Sequence, residues 1–373
     1  MTRKIGGFLA LIISFIVYLL TVEPTTSMWD CSEFIACAVG LEVGHAPGAP
    51  LFMLLGRFFA LFAPSLTNIA YMVNLLSVLA SAFTIYFLFH TIYWFGNKVA
   101  QKMMPQASKE YLQLVLTLAS FIGAISFAFT DTFWFSAVEG EVYATSSLFT
   151  AAVFWSILKW EEDSSEYADR WLILIFFVLG LSVGVHLLNL LALPAVALVF
   201  YFKKYEANTR GIILSLGVSL ILMVIIIFGF IPGVVALTAN TDRLFVNSFG
   251  LPVYSGALTF VFLLIGGVIY GIYHYRKKGQ KILHFILLSF GLWLAGYSAF
   301  TVLIIRSNAQ PYIDINNVEN IYGLVDYLNR EQYPKRPLFY GNNYNSPVID
   351  IEQRYTYKLY EGKYEKDLLV PNY

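Results

Sequence analysis

The chain has 373 residues, of which 58% are hydrophobic, 17% aromatic and 13% charged, and its formal net charge is zero. Soluble domains carry roughly 25% charged residues, so this composition, with a mean hydropathy of +0.65, argues for many membrane spans against one large soluble core. The neutral balance gives nothing to attract nucleic acid. The two cysteines, Cys31 and Cys37, lack zinc spacing, and six residues apart on one helix they point in different directions, which argues against a bridge.

Met1-Thr-Arg-Lys followed by Ile5–Leu20 has the form of a signal peptide, but no small-x-small cleavage site follows, so it reads as an uncleaved first span. Apolar runs long enough to span appear at about 5–22, 68–95, 111–129, 142–158, 171–186, 187–202, 211–231, 256–273 and 282–304. A further run, Ala49–Ala63, holds Arg57 between prolines and reads as a short span or an interfacial helix, giving nine or ten in all. The positive-inside rule separates these counts. With the N-terminus in the cytoplasm and Ala49–Ala63 in the interface, 14 of the 24 Lys and Arg residues fall in cytoplasmic loops. Only Arg57, Arg243 and Arg306 precede the tail on the opposite face. This favours nine spans and an external C-terminal tail.

The same topology gathers Asp30, Glu33, His45, Asp131, Glu139, Glu141, His186, Asp242, Arg243 and Arg306 on the outer face. From Arg306 the composition becomes polar and mixed. Ile321, Leu324, Val325 and Leu328 keep helical spacing, and Pro337–Tyr340 reads as a short strand. The expected organisation is a membrane domain over 1–305 and the start of a small extracytoplasmic α/β segment over 306–373, continued by a larger domain that this sequence lacks.

Asp30 and Glu33 stand one helical turn apart, just after the first span. They read as a capping box, with Asp30 as N-cap and Glu33 at the third position of a helix running to about Val43. They read equally as carboxylates facing a cavity, one removing a proton from an acceptor hydroxyl. His45-Ala-Pro-Gly-Ala-Pro50 is a rigid turn that starts the next helix, and His45 is placed to line a site. Glu139, Glu141 and Tyr143, with Trp134 nearby, suit a sugar, because carboxylates accept hydroxyl hydrogen bonds and aromatic faces stack on C–H surfaces. An aromatic belt with solvated acids is the plainer account. His186 between two spans is either a turn cap or a cavity contact alongside Asn189. Arg243 and Arg306 are the outer cations available to a phosphate leaving group or to lipid headgroups.

At these residues the chain resembles a known family. Trp29-Asp-Cys-Ser-Glu-Phe-Ile-Ala-Cys-Ala38 and Gly44-His-Ala-Pro-Gly-Ala-Pro-Leu-Phe52 are similar to the first-loop signature of the GT-C-type protein O-mannosyltransferase-like membrane proteins, which are common in bacteria and include a eukaryotic endoplasmic-reticulum member. The family turn reads His-Pro-Pro-Gly-x-Pro-Leu, and here Ala46 replaces its first proline. Trp134–Tyr143, Gly180–His186, Phe245–Pro252 and Tyr327–Tyr333 also resemble family segments.

The resemblance implies an all-α polytopic GT-C-like glycosyltransferase of the bacterial inner membrane, with the N-terminus cytoplasmic and the tail periplasmic. Such enzymes move a sugar, typically mannose, from a polyprenyl phosphate to a serine or threonine hydroxyl of a protein, with inversion. The implied roles are Asp30 as base, Glu33 as its helper, His45, Glu139, Glu141, Tyr143 and His186 at sugar or acceptor, and Arg243 or Arg306 at the phosphate. No cofactor is expected, although Asp30, Glu33, His45 and Glu139 form a possible divalent-ion set. The rival readings are a transporter or flippase, whose acids lie near the midplane, and a non-catalytic scaffold that tolerates loss of both acids.

Overall fold

The computed structural model describes residues 2–333, 341, 343, 345–347 and 354–369, and the strand expected at Pro337–Tyr340 lies outside the described residues. Helices dominate, as they must where lipid offers backbone groups no hydrogen-bond partner. Among the described residues eight helices are long and apolar enough to cross a membrane: Arg3–Thr21, Leu66–Met103, Lys109–Ala128, Val142–Glu162, Leu187–Lys204, Thr209–Ser248, Ser255–Lys277 and Lys281–Ser307. The run expected at 171–186 is a shorter helix, Arg170–Val183, that stops at Gly184. Its 14 residues rise only about 21 Å. Pro50–Ala60 has 11 residues and rises about 16 Å, too little to cross alone.

The chain divides into two compact units. The first comprises Met1–Glu42, Ala49–Met223 and Ile272–Phe300. Its central post is the helix Ile69–Met103, against which Arg3–Thr21, Lys109–Ala128 and Val142–Glu162 pack. Buried Ser77, Ala80, Ser81 and Ala82 keep the face of this post small, so neighbouring backbones approach closely. Tyr18, Ile85, Phe89 and Phe133 fill the remaining space in one cluster. At one end of the unit lie the basic residues. Arg3 sits over the Tyr93 ring at 4.8 Å, Lys98 pairs with Glu161 at 2.7 Å, and Lys203 donates to the carbonyls of Trp160 and Asp163. The loops that follow Thr21, Ala128 and Val183 gather at the other end.

Arg170–Val183 and Lys281–Tyr297 meet through two glycines. A Cβ on Gly180 would sit 2.3 Å from the Trp293 carbonyl oxygen, and one on Gly296 would sit 2.4 Å from the Leu181 nitrogen. Both obstacles are backbone, so neither can swing away.

The second unit comprises Val43–Gly48, Val224–Gly271 and Thr301–Tyr373. Its strands Arg354–Tyr360 and Lys363–Leu369 form an antiparallel hairpin, turned by Glu361 and Gly362 at positive φ, as a two-residue hairpin turn requires. The helix Ile321–Leu328 occupies the expected positions and buries Ile321 and Leu324. Asp242 is the unit's polar anchor. Fully buried, it accepts from the backbone N–H of Tyr254 at 3.0 Å, Gly256 at 3.0 Å and Ala257 at 3.1 Å, and from the Tyr364 hydroxyl at 2.8 Å. One carboxylate thus satisfies the open N-terminus of Ser255–Lys277 and holds the hairpin. Asn247 adds a two-way bond to the Tyr364 backbone. Val43 bridges in parallel to Asp314, and the Tyr327 hydroxyl donates to the carbonyls of Gly44 at 2.6 Å and His45 at 3.1 Å.

The glycine contact makes a direct prediction. Gly180→Ala forces the two helices apart and destabilises the first unit by about 1–3 kcal/mol. Gly217→Ala, where a Cβ meets nothing within 4 Å, leaves the unfolding temperature in detergent unchanged.

Candidate functional site

Trp29 and Asp30 introduce the helix Cys31–Gly40. Trp29 adopts φ +67°, a left-handed conformation that side chains rarely take, and it is 87% exposed. Strain of this kind beside a chemical group is a recurrent feature of functional sites. Asp30 occupies the N-cap position but has helical angles (φ −75°, ψ −12°), and its side chain makes no cap hydrogen bond. The expected capping box therefore does not form, because an N-cap side chain needs extended backbone to reach back to the helix. The helix ends at Gly40, with Leu41 left-handed, short of the expected Val43. Cys31 and Cys37 are buried free thiols. A carboxylate oxygen of Asp30 and one of Glu33 lie within 4.8 Å of each other, close enough to hold one divalent ion between them. Asp30 is exposed and Glu33 half-buried.

The first loop is lashed to the second. The Glu23 N–H donates to the Val138 carbonyl at 2.9 Å, Trp134 Nε1 donates to Thr21 Oγ1 at 3.0 Å, and the Ser27 hydroxyl donates to the Glu139 carboxylate. The fully buried Asn74 donates from Nδ2 to the carbonyls of Glu23 at 2.7 Å and Thr25 at 2.9 Å. Its Oδ1 faces Gly140, where a Cβ would stand only 2.8 Å away. Only glycine fits between Glu139 and Glu141. Both of these acids are buried. Glu141 caps Val142–Glu162 by accepting from the Val142 N–H at 3.1 Å.

Tyr143 stands at the start of that helix, half exposed, and its hydroxyl feels the charges of Glu141 and Asp30. Its ring centroid lies 5.5 Å from that of His186. His186 Nδ1 accepts from the Leu188 N–H at 3.2 Å, which places the ring proton of the neutral form on Nε2. Burial lowers the His186 pKa below the ordinary histidine value and favours that neutral form. His186 is thus both a turn cap and a neighbour of Tyr143. Asn189 Oδ1 accepts from Ser146 at 3.1 Å and Thr150 at 2.5 Å. The turn at 49–52 joins the same end: the Leu51 N–H donates to the Gly184 carbonyl at 2.8 Å, and Phe52 stacks edge-on with Phe34 at 5.6 Å.

The first unit therefore brings together Asp30, Glu33, Glu139, Glu141, Tyr143 and His186. His45, Arg243 and Arg306 belong to the second unit, where Arg243 lies 4.1 Å over the Tyr357 ring. Ser27, Asn74, Tyr327 and Asp242 were not singled out as site-building residues from the sequence. Asn74 carried a usable signal, a strongly polar side chain inside an apolar span. Ser27 carried none.

Glu139 has a pH signature. Burial raises its pKa above the ordinary glutamate value, nearby Glu23 adds to this, and the Ser27 hydrogen bond opposes it. The folded chain then holds a proton that the unfolded chain has already lost, so the contribution to stability is complete below the unfolded pKa and is lost as pH rises through the folded one. As pH rises above the ordinary glutamate range, wild-type protein in detergent should lose thermal stability more steeply than Glu139→Gln, followed by tryptophan fluorescence.

Residues 30–209 match the family model described as "Protein O-mannosyl-transferase TMEM260 N-terminal domain". The chain is 28% identical over 138 residues to "Protein O-mannosyl-transferase tmem260" of Dictyostelium discoideum, a match covering 36% of this chain and 14% of that protein. It is 27% identical over 149 residues to "Protein O-mannosyl-transferase TMEM260" of Mus musculus, covering 40% of this chain and 18% of that protein. The match spans less than a fifth of the length of either relative. No solved structure matches. The matched stretch holds Asp30, Glu33, the 49–52 turn, Glu139–Tyr143 and His186, and across residues 30–209 the chain is similar to the N-terminal domain of protein O-mannosyl-transferases.

Proposed function

We propose that the chain is a membrane glycosyltransferase that moves a mannosyl group from a polyprenyl-phosphate donor to a serine or threonine hydroxyl of a protein, with inversion. The observation that carries this reading is the meeting of four separate sequence stretches at the end of the first unit that carries the Asp30–Glu33 pair. In the proposed step the acceptor oxygen attacks the anomeric carbon, the bond from that carbon to the phosphate oxygen breaks, and the hydroxyl proton passes to Asp30. The polyprenyl phosphate leaves with the electron pair. Glu33 holds the acceptor. Tyr143 and His186 contribute a ring face and an Nε2 donor toward sugar or acceptor. Glu139 and Glu141, each already engaged, act by holding the loops, with any sugar contact made through their remaining oxygen. His45 is assigned to the acceptor side, and Arg243 or Arg306 to the developing phosphate charge.

The acidic end of the first unit is assigned to the extracytoplasmic face, and the basic end, with Arg3, Lys98 and Lys203, to the cytoplasm. In a bacterium this corresponds to the inner membrane. One base, one phosphate clamp and correct positioning suffice for direct displacement without a metal.

The test is transfer from a synthetic polyprenyl-phosphate mannose to a Ser/Thr peptide by purified wild type, Asp30→Asn and Glu33→Gln, with donor binding measured in parallel. Asp30→Asn should lower turnover by about 10²–10⁴-fold, the worth of a general base, with donor affinity within about twofold. Glu33→Gln should lose less, and a chelator should leave the wild-type rate unchanged. Equal turnover in all three proteins would leave the loop a structural role only.

A further inference from the structure

The second unit contains a cavity of about 650 Å³, within the range of small-ligand sites. It is built wholly from residues of that unit and includes none of the groups assigned to transfer. Its walls are polar and aromatic. Tyr254, Tyr357 and Tyr360 present ring surface, and Asn316, Asn317 and Gln332 present carboxamides. Asn316 and Asn317 both adopt positive φ (73° and 47°), so the loop is bent sharply where it forms the wall.

Gln332 is the telling residue. Its Oε1 and Nε2 are both shielded from solvent, and neither has a hydrogen-bond partner. A buried carboxamide left unpaired costs free energy unless a ligand or water completes it. Of the charged groups that line the cavity, Glu319 remains as a carboxylate acceptor and the others are engaged within the protein. Lys358 pairs with Asp367 at 2.5 Å, Glu331 pairs with Arg354 at 2.8 Å, and Asp326 accepts from the Thr356 hydroxyl at 2.5 Å. Among the described residues no uncommitted cation lines the cavity to attract an anion, and its carboxylates disfavour one. A lipid chain would leave the amides and carboxylates of the lining unpaired. What remains complementary is a neutral, hydroxyl-rich ligand with apolar C–H faces: amides and carboxylates pair with hydroxyls, and tyrosine rings cover the faces.

We infer that this cavity of the second unit is a carbohydrate-binding pocket, with Gln332 and Tyr360 as its recognition residues. It binds sugar without transferring it, and it does not depend on the proposed reaction; only mannoside as the first probe is taken from that reading.

The experiment uses the full chain in a detergent without a sugar headgroup, which would otherwise compete. Binding is measured by saturation-transfer NMR and titration calorimetry with methyl α-mannoside, mannobiose, methyl glucoside, methyl galactoside and a Ser/Thr-rich peptide. The expected result is saturable binding of at least one of the sugars, weakened about tenfold by Gln332→Leu, the worth of one lost hydrogen-bonding amide, and comparably by Tyr360→Ala. Asp30→Asn should bind as wild type does. If Gln332→Leu fails to fold, Tyr360→Ala, on a residue 47% exposed, decides. Absence of saturable sugar binding, binding indifferent to the pocket variants, loss in Asp30→Asn, or saturation by the peptide alone would each overturn the assignment.

Discussion

A strongly polar side chain placed in apolar surroundings must find partners or destabilise the fold, and Asn74 meets that constraint through its carboxamide nitrogen in a way that builds the acidic end of the first unit, while its buried oxygen has no hydrogen-bond partner among the described residues. Its carboxamide nitrogen holds the carbonyls of Glu23 and Thr25. Its oxygen looks onto Gly140, where no side chain fits. The loop after the first helix is thereby pressed onto the loop carrying Glu139 and Glu141, and the Ser27–Glu139 bond continues the seam. Helix packing alone would leave these loops free to adopt many arrangements. The seam selects one, and it delivers Asp30 at the start of its helix, where its side chain makes no cap hydrogen bond.

The chemistry proposed for the site depends on where the turn at Trp29 places the Asp30 side chain. Asp30 has helical rather than extended angles, and the left-handed Trp29 before it absorbs the change of direction. Glu33 stands one turn on and Tyr143 within electrostatic reach. Glu139 and Glu141 divide the labour differently: each is spent on a neighbour, so their contribution is to hold the loops where the reacting groups need them. His186 combines the two tasks, since Nδ1 closes a turn and leaves Nε2 as a donor.

Much of this was legible in the sequence. Long apolar runs fixed most of the helices because lipid permits little else. The quoted motifs coincide with the acidic end of the first unit because they concentrate rare polar groups beside those runs. Finer features were not legible. The capping-box pattern at Asp30 and Glu33 failed because the backbone angles at Asp30 are set by the turn at Trp29 and by the seam at Ser27, which are tertiary facts. The run at 171–186 reads as a span by hydropathy, but its helix stops at Gly184 so that His186 can cap the next one. The Arg354–Leu369 hairpin does carry a sequence signal, alternating tyrosines around Glu361-Gly362. Asp242 was visible as an unusual acid, but its role as anchor for a helix start and a hairpin rests on partners as far away in sequence as Tyr364.

The central claim is that the Asp30–Glu33 end performs a single direct displacement with one carboxylate as base. The most direct measurement is the anomeric configuration of the first product, read by NMR from a donor of one defined anomer and a Ser/Thr peptide acceptor. Inversion in wild type is predicted, since one attack from the face opposite the phosphate leaves no other outcome. Retention would contradict the account, because it requires two successive displacements and a carboxylate acting as nucleophile in place of base.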